Sequence, residues 1–244
     1  MTRLALLFDL DGTLLDTVDL LVQCMTHTFT GRSRAPSRDQ WIAGIGTPLR
    51  QQLAAWADDD ALVEDLVSRY RDYQALHFER MTSTFPGVHE LLQWAKGRGH
   101  ALGVVTSKGL GMTTRSLEHV GLADAFDVVV TVESTTRNKP HPEPVLHALD
   151  TLGILAGRAV FVGDSPHDML AGRSAGVATV ACLWGPFSRE QLAPTTPTFL
   201  ASRLQDVRDF IEEVERSNLT GAPPVKMSDL DGEHARSYGD DSST

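Results

Sequence analysis

This chain contains few lysine residues, carries no net positive charge and lacks long apolar runs. Only four of its 22 basic residues are lysine, and 32 acidic residues leave a formal charge of −10. Because proteins that bind nucleic acid need a basic field to gather phosphates, this composition argues against a nucleic-acid partner. No segment approaches the roughly 20 apolar residues of a membrane span, and the first predicted strand begins too early to follow a signal peptide. We therefore expect a cytoplasmic protein with no membrane partner.

Cysteine is equally scarce. Cys24 and Cys182 are far apart and have no metal-type spacing, so we expect two free buried thiols in a reducing compartment. Hydrophobic residues at 41% and charged residues at 22% are typical of a globular protein. The length of 244 residues allows one sizeable core with an insertion, or two modest domains.

The segment Leu4 to Asp16 is the feature around which we expect the fold to be organised. Its first part is an apolar run, typical of a strand buried on both faces of a parallel sheet, and this run ends at Asp9 and Asp11. Two acids this close require a cation between them, shifted pKa values, or both. An Asp-Gly turn without function is the alternative, because such turns are common in loops.

The hydrophobic pattern predicts two structural regions and a tail. From Phe85 onwards, apolar strands alternate with amphipathic helices, which indicates a parallel α/β sheet with helices on both faces. Between Asp16 and Phe85 the apolar residues recur at helical spacing and no clear strand is found. We predict a core of residues 1–16 and 84–216, a small α-helical cap of residues 17–83 inserted after strand one, and a disordered tail of residues 217–244.

Polar side chains follow four predicted strands, where the carboxyl ends of a parallel sheet place ligands. They occur at Asp9 to Thr13, at Thr106-Ser107-Lys108, at Lys139 before Pro140, and at Asp164 to Asp168. Asp9 and Asp164, with the backbone carbonyl of Asp11, can supply the oxygen ligands that Mg²⁺ prefers. Lys139, Thr106 and N–H groups near Gly12 can neutralise phosphoryl oxygens.

Each of these residues also has a structural interpretation on its own. Lys139 could be a solvated loop lysine, and Thr106 or Asp168 could be a helix N-cap. His141 and His167 are read as loop histidines. A purely structural interpretation of the whole set would need unrelated coincidences at four strand ends. The set taken together therefore indicates phosphoryl-transfer chemistry.

The four segments, in their order and spacing, resemble the four motifs of the haloacid dehalogenase-like hydrolase superfamily. The insertion after the first motif resembles the C1 cap of its phosphoglycolate phosphatase-like branch. The sequence around Thr106 and Lys139 is similar to that of phosphoglycolate phosphatases and bacterial pyrophosphatases of that branch. The resemblance covers about residues 3–215. It implies a Rossmann-like core and a Mg²⁺-dependent phosphatase.

The resemblance also implies residue roles. Asp9 would attack phosphorus to form an aspartyl-phosphate, and Asp11 would act as acid and then base. Thr106, Ser107, Lys139 and Gly12 would bind the phosphoryl group. The metal site would comprise Asp9, Asp11, Asp164 and Asp168, although Asp168 could instead orient Lys139.

Substrate choice is expected to lie in the cap. Thr47 and Arg50, with Lys108 on the core side, are the specificity candidates, since an arginine can hold a second anionic group; a surface arginine is the equal alternative for Arg50. We expect a small phosphorylated metabolite as substrate and a monomer or homodimer, with inorganic pyrophosphate as the nearest rival substrate. Asp11 argues against dehalogenase chemistry, because dehalogenases of the superfamily lack this second aspartate. Phosphonoacetaldehyde hydrolases and β-phosphoglucomutases use a lysine of the cap. The lack of lysine in residues 17–95 therefore argues against the first activity and makes the match to the second weaker. A non-catalytic interaction module is the remaining alternative.

Overall fold

The computed structural model describes residues 3–220. Its strands are β1 (Ala5–Phe8), β2 (Leu15–Asp16), β3 (Ser83–Thr84), β4 (Ala101–Val105), β5 (Val128–Val130), β6 (Ala159–Gly163), β7 (Ala178–Cys182) and β8 (Phe199–Ala201). Its α-helices are α1 (Val18–Thr28), α2 (Arg38–Ile42), α3 (Leu49–Ala54), α4 (Asp60–His77), α5 (Val88–Gly97), α6 (Leu110–His119), α7 (Glu143–Leu152), α8 (Pro166–Ser174), α9 (Arg189–Leu192) and α10 (Leu204–Thr220).

Six strands form one parallel sheet in the order β5-β4-β1-β6-β7-β8. The first strand is central, and alternate side chains of β1 enter two different hydrophobic clusters: Leu6 and Phe8 pack with α5 and α10, whereas Ala5 and Leu7 pack with α7 and α8. Helices therefore cover both faces, as predicted. The strand order reverses at β1, which is where open α/β sheets bind ligands.

The helical insertion has its own hydrophobic cluster. Leu20 and Cys24 of α1 pack against Leu66 and Tyr70 of α4, with Trp41 of α2 beside them. The spacing of Ser37 and Gln40 in the sequence predicts a capping box, and the structure confirms it: the two residues exchange side-chain to backbone hydrogen bonds of 3.1 and 2.9 Å at the start of α2. Both cysteines are free and buried, as expected.

Three local expectations were wrong. The insertion ends in a strand, because Ser83–Thr84 pairs antiparallel with Leu15–Asp16; a two-residue strand is too short to show periodicity. The hydrophobic pattern predicts a last strand at residues 178–183, but β8 follows it and pairs with β7. The last helix runs to Thr220, so the first four residues of the segment predicted to be disordered are helical; residues 221–244 lie outside the described part.

A polar contact fixes α10 just beyond its apolar stripe. Glu215 is 3% exposed and accepts hydrogen bonds of 3.0 and 2.7 Å from the Arg98 guanidinium. This half-buried ion pair follows Val214, and an apolar pattern cannot reveal it. Within residues 3–220, no helix combines the length and the hydrophobicity needed to cross a bilayer.

Candidate active site

The end of the central strand carries the first aspartate of the site. The Asp9 N–H donates to the Val162 carbonyl at 2.9 Å, which continues the parallel pairing of β1 with β6 by one residue. The Asp9 side chain consequently lies at the carboxyl end of the sheet, 4% exposed. Burial raises the pKa of Asp9 to about 7, against the opposing effect of the Lys139 ammonium.

Lys139 joins two of the buried carboxylates. Its Nζ lies 2.7 Å from Asp9 Oδ1 and 2.6 Å from Asp168 Oδ1, and it donates to the Val105 carbonyl at 3.1 Å. Burial alone would lower the pKa of Lys139, but the two carboxylates outweigh it and hold the pKa above its usual value. The ammonium therefore remains charged, and the solvated-loop interpretation of Lys139 is wrong.

Asp164 contributes an oxygen with no protein partner within the described range. The Thr13 hydroxyl donates to Asp164 Oδ1 at 2.6 Å, whereas Oδ2 is buried without a hydrogen bond. Burial, followed by the charges of Asp9 and Asp168, raises the pKa of Asp164 well above its ordinary value. An orphaned carboxylate oxygen is costly unless a cation or a proton satisfies it.

The carboxylates of Asp9, Asp164 and Asp168 form a group whose ligand atoms lie within 4.8 Å of one another. Three carboxylates and one ammonium leave two negative charges when all are ionised, which a divalent cation would balance. With the orphaned oxygen of Asp164, this donor set fits Mg²⁺, a cation that prefers hard oxygen ligands.

Asp168 belongs to the group, but both of its oxygens are in use. Lys139 bonds to Oδ1, and the Ser165 N–H and hydroxyl bond to Oδ2 at 3.0 and 2.6 Å in the capping box of α8. The N-cap of α8 is therefore Ser165 and not Asp168, which is the third helical residue of the capping box and also bonds to Lys139. Direct metal binding by Asp168 stays a prediction.

Asp11 lies apart from the metal group. Its Oδ1 accepts hydrogen bonds from the Thr17 hydroxyl at 2.8 Å and from Lys108 Nζ at 2.7 Å. Lys108, expected to help choose the substrate, is thus bound to the predicted acid and base. The carboxylate of Asp11 is not in the cluster, so any metal contact would come from its backbone carbonyl.

The Gly12 N–H already has a partner in the turn, and phosphate binding by N–H groups near Gly12 stays a prediction. That N–H donates to the Leu15 carbonyl at 2.8 Å inside the turn. Gly12 has φ +89°, and a Cβ there would lie 2.6 Å from Asp164 Oδ2, so glycine is required for the turn and for the close approach of Asp164. Gly185, which the sequence interpretation missed, makes room for Asp164 in the same way.

The predicted phosphate ligands after β4 have different surroundings. Thr106 is buried, and its hydroxyl oxygen accepts the Lys108 N–H at 3.1 Å. Ser107 instead donates its hydroxyl to the Gly46 carbonyl of the cap at 2.7 Å. Thr106 thus lies in the site, whereas the Ser107 side chain links core and cap.

A cavity of about 540 Å³ joins these groups to the cap. Asp9, Asp11 and Thr106 line its core side. Its cap side is largely apolar and contains Leu21, Trp41, Ile45, Leu49 and Tyr70. Another depression, of about 570 Å³, lies between residues 133 and 150 and is lined by neither of the aspartates at the end of β1, so we assign the chemistry to the first cavity.

The two cap residues expected to choose the substrate also line the cavity. The Thr47 hydroxyl, however, donates to the Gly44 carbonyl at 2.7 Å. Arg50 is half exposed and forms ion pairs with Asp60 and Glu64 of α4. The surface interpretation of Arg50 therefore has more support than its role in substrate binding.

The chain is similar to known proteins along most of its length. The model of a family described as haloacid dehalogenase-like hydrolase matches residues 6–182. Pyrophosphatase PpaX of Bacillus cereus is 33% identical over 212 residues, which are 86% of this chain and 97% of that protein. PpaX of Bacillus thuringiensis strain Al Hakam is 32% identical over the same shares.

Solved structures have the same fold. A haloacid dehalogenase-like family hydrolase from Streptococcus pneumoniae superposes with a TM-score of 0.73 at 25% identity, covering 85% of this chain and 98% of that one. A protein from Haemophilus somnus described as a predicted phosphoglycolate phosphatase gives 0.76 at 24% identity, covering 86% and 98%. From the match of the family model and the identity to these relatives, we conclude that this chain belongs to the haloacid dehalogenase-like hydrolase family.

Proposed function

We propose that this protein is a Mg²⁺-dependent phosphatase that hydrolyses a small phosphate monoester, similar to phosphoglycolate, through an aspartyl-phosphate. The observation that carries the proposal is the buried Lys139, bonded to Asp9 and Asp168 beside the unpartnered Oδ2 of Asp164. This arrangement presents a carboxylate nucleophile next to a fixed positive charge at the mouth of a cavity.

The chemistry takes two displacements. Asp9 attacks phosphorus, the bond to the ester oxygen breaks, and Asp11 gives its proton to the departing oxygen. Asp11 then takes a proton from water as that water attacks phosphorus, which releases phosphate and regenerates Asp9. Thr17 and Lys108 hold Asp11 Oδ1, so Oδ2 is the oxygen that would exchange the proton.

Three residues would hold the cation. Asp9 and Asp164 would supply carboxylate oxygens and Asp11 its backbone carbonyl, and Thr13 orients Asp164. When bound, Mg²⁺ would neutralise phosphoryl charge as the bonds to phosphorus change. Lys139 and the Thr106 hydroxyl would bind the remaining phosphoryl oxygens.

Inorganic pyrophosphatase is the second candidate, and the names of the PpaX relatives favour it. The cap side of the cavity favours the monoester, because Leu21, Ile45 and Leu49 supply apolar surface that no atom of pyrophosphate can use. A leaving group that contains carbon matches these side chains better. We place the activity in the cytoplasm, on a small phosphorylated metabolite.

A substrate panel with Mg²⁺ tests the proposal. Phosphoglycolate, pyrophosphate, sugar phosphates and nucleoside monophosphates are compared by phosphate release, with Asp9→Asn as the inactive control. We expect phosphoglycolate or a similar small monoester to give the highest kcat/KM. Faster hydrolysis of pyrophosphate would select the second candidate, and no phosphate release from any compound would refute both.

A further inference from the structure

The cap side of the cavity contains polar groups that the proposed chemistry does not use. Helix α4 buries Val63, Leu66, Val67 and Tyr70 at helical spacing. Gln74 continues this stripe at a position where an apolar residue is expected, and it is 5% exposed. Its amide bonds to no residue of the range 3–220 and lines the cavity. The polar atoms of this amide are accessible rather than enclosed by protein, so a molecule in the cavity can become their partner.

Two other polar groups of the cap are enclosed more completely and also have no partner. The indole Nε1 of Trp41 and the Oε1 of Gln52 are buried, and neither has a hydrogen-bond partner in the described part. Both side chains line the same cavity. Trp41 packs against Tyr70 with 5.8 Å between ring centroids, so its indole is fixed by the cap rather than free to turn towards water. Unpaired buried donors and acceptors of this kind are exceptions in folded proteins and point to a ligand.

A cation on the same wall has no partner either. Arg71 lines the cavity, is exposed to solvent, and forms no ion pair or hydrogen bond with any residue from 3 to 220. The other cations of the cavity wall differ: Arg50 is paired with Asp60 and Glu64, and Lys108 is paired with Asp11. Arg71 precedes Gln74 by three residues on α4, which puts them on neighbouring positions of one helix face.

We propose that Arg71, Gln74 and Trp41 bind a second anionic group on the leaving group of the substrate. This inference rests on the proposed function, since the first phosphoryl group occupies the aspartate end of the cavity. The guanidinium, the amide NH₂ and the indole N–H are all donors, which suits the oxygens of a carboxylate or a second phosphoryl group. Arg71, rather than the predicted Arg50, is the specificity arginine.

The first test compares substrates with and without a charged leaving group. Arg71→Met should lower kcat/KM for phosphoglycolate about 10- to 100-fold, because a charge-assisted contact is lost, and should change kcat/KM for p-nitrophenyl phosphate less than about twofold. Gln74→Leu should act in the same direction more weakly. Arg71→Lys should recover part of the loss, because it restores the charge without the planar fork.

Two arginines serve as controls. Arg69 lies on the same helix but outside the cavity, where its guanidinium donates to the carbonyls of His27 and Thr30. Arg69→Met and Arg50→Met should both leave the ratio of the two kcat/KM values unchanged. An equal loss for both substrates in Arg71→Met, or a selective loss in Arg50→Met instead, would overturn the assignment. Pyrophosphate as a third substrate separates a phosphoryl from a carboxylate partner.

A binding measurement distinguishes failure of this inference from failure of the proposed function. Wild-type protein with Mg²⁺ is titrated by calorimetry with 3-phosphonopropionate, which carries a carboxylate and cannot be hydrolysed as an ester, and with inorganic phosphate. We expect tighter binding of the phosphonate in wild type, and equal binding of the two in Arg71→Met. No preference in wild type would refute the subsite, whether or not any ester is hydrolysed.

Discussion

Lys139 is the one ammonium in contact with the buried acids of the site in the described part. Lys139→Met removes the charge and leaves Asp9, Asp164 and Asp168 facing one another without a cation. We expect a loss of about 3–5 kcal/mol in the free energy of unfolding when EDTA is present, the usual cost of breaking a buried ion pair. Urea denaturation measures it.

Magnesium should recover part of that loss in Lys139→Met, because the cation replaces some of the missing positive charge. Lys96→Met, at an exposed ammonium that bonds only to the Asp124 carbonyl within residues 3–220, is the matched control and should have little effect. An unfolding free energy of Lys139→Met equal to that of wild type in EDTA would show that the carboxylates are not held by this lysine.

His100 gives the stability a dependence on pH. Its Nδ1 accepts the Leu4 N–H at 3.3 Å, and its Nε2 lies 3.4 Å from Glu215 Oε1 without the alignment of a hydrogen bond. Burial lowers the pKa of His100, and the nearby Arg98 lowers it further, although Glu215 opposes both. Protonation would also break the bond from Leu4, so the folded state holds the neutral ring.

The unfolded chain therefore binds a proton at His100 more readily than the folded protein does. The contribution of the neutral ring to the free energy of unfolding is fully present above the pKa of His100 in the unfolded chain, near 6.5. It is lost as the pH falls below that value, by up to about 1.4 kcal/mol per pH unit. Urea midpoints at pH 7.5, 6.5 and 5.5 should fall more steeply for wild type than for His100→Gln. Parallel profiles would contradict the neutral buried ring.

The loop between α2 and α3 is the element that connects the cap to the chemistry. Gly46 has φ +96°, its carbonyl accepts the Ser107 hydroxyl, and a Cβ there would lie 2.7 Å from Ser165 Oγ. Gly46→Ala should push the loop away from the core. We expect kcat/KM to fall about 10- to 100-fold, because small displacements of positioning groups have large effects on rate.

Gly31→Ala is the matched control for that substitution. Gly31 also has positive φ, at +78°, but a Cβ there would have no described atom within 4 Å beyond its chain neighbours. Both variants should lose about 1–2 kcal/mol of stability from the left-handed backbone, and only Gly46→Ala should lose activity. A similar loss of activity in both would mean that backbone strain, and not the contact with Ser165, is responsible.

The elements of the core were predictable because their signals are local. The apolar run of β1 and the polar residues at strand ends are visible in the sequence, and parallel strands bring their carboxyl ends to one edge, so Asp9, Lys139 and Asp164 could be placed together. The residues of the cap that line the site could not be predicted in this way. Gln74 and Arg71 face the cavity only because α4 packs on α1 in one orientation, and Arg50 is occupied by acids from α4 that no spacing rule connects with it.

For the molecule as a whole, the metal site should act as a stabiliser. Mg²⁺ binds the folded site and has no comparable site in the unfolded chain, so stability rises with its concentration. At about 100 times its Kd we expect a Tm increase of about 5–10 °C in differential scanning calorimetry. Asp164→Asn should abolish most of the shift, and an equal shift in that variant would place the cation elsewhere.

The short ribbon of β2 and β3 is the point where the cap joins the core. Asp16 and Ser83 are direct partners in it, so the chain leaves the core and returns to it at adjacent points. A turn of about two residues could join these points, and residues 18–82 could be exchanged for another insertion without moving β1, as long as Thr17, which holds Asp11, is kept. The catalytic residues and the residues that select the substrate can therefore change independently in evolution, because one insertion point connects them.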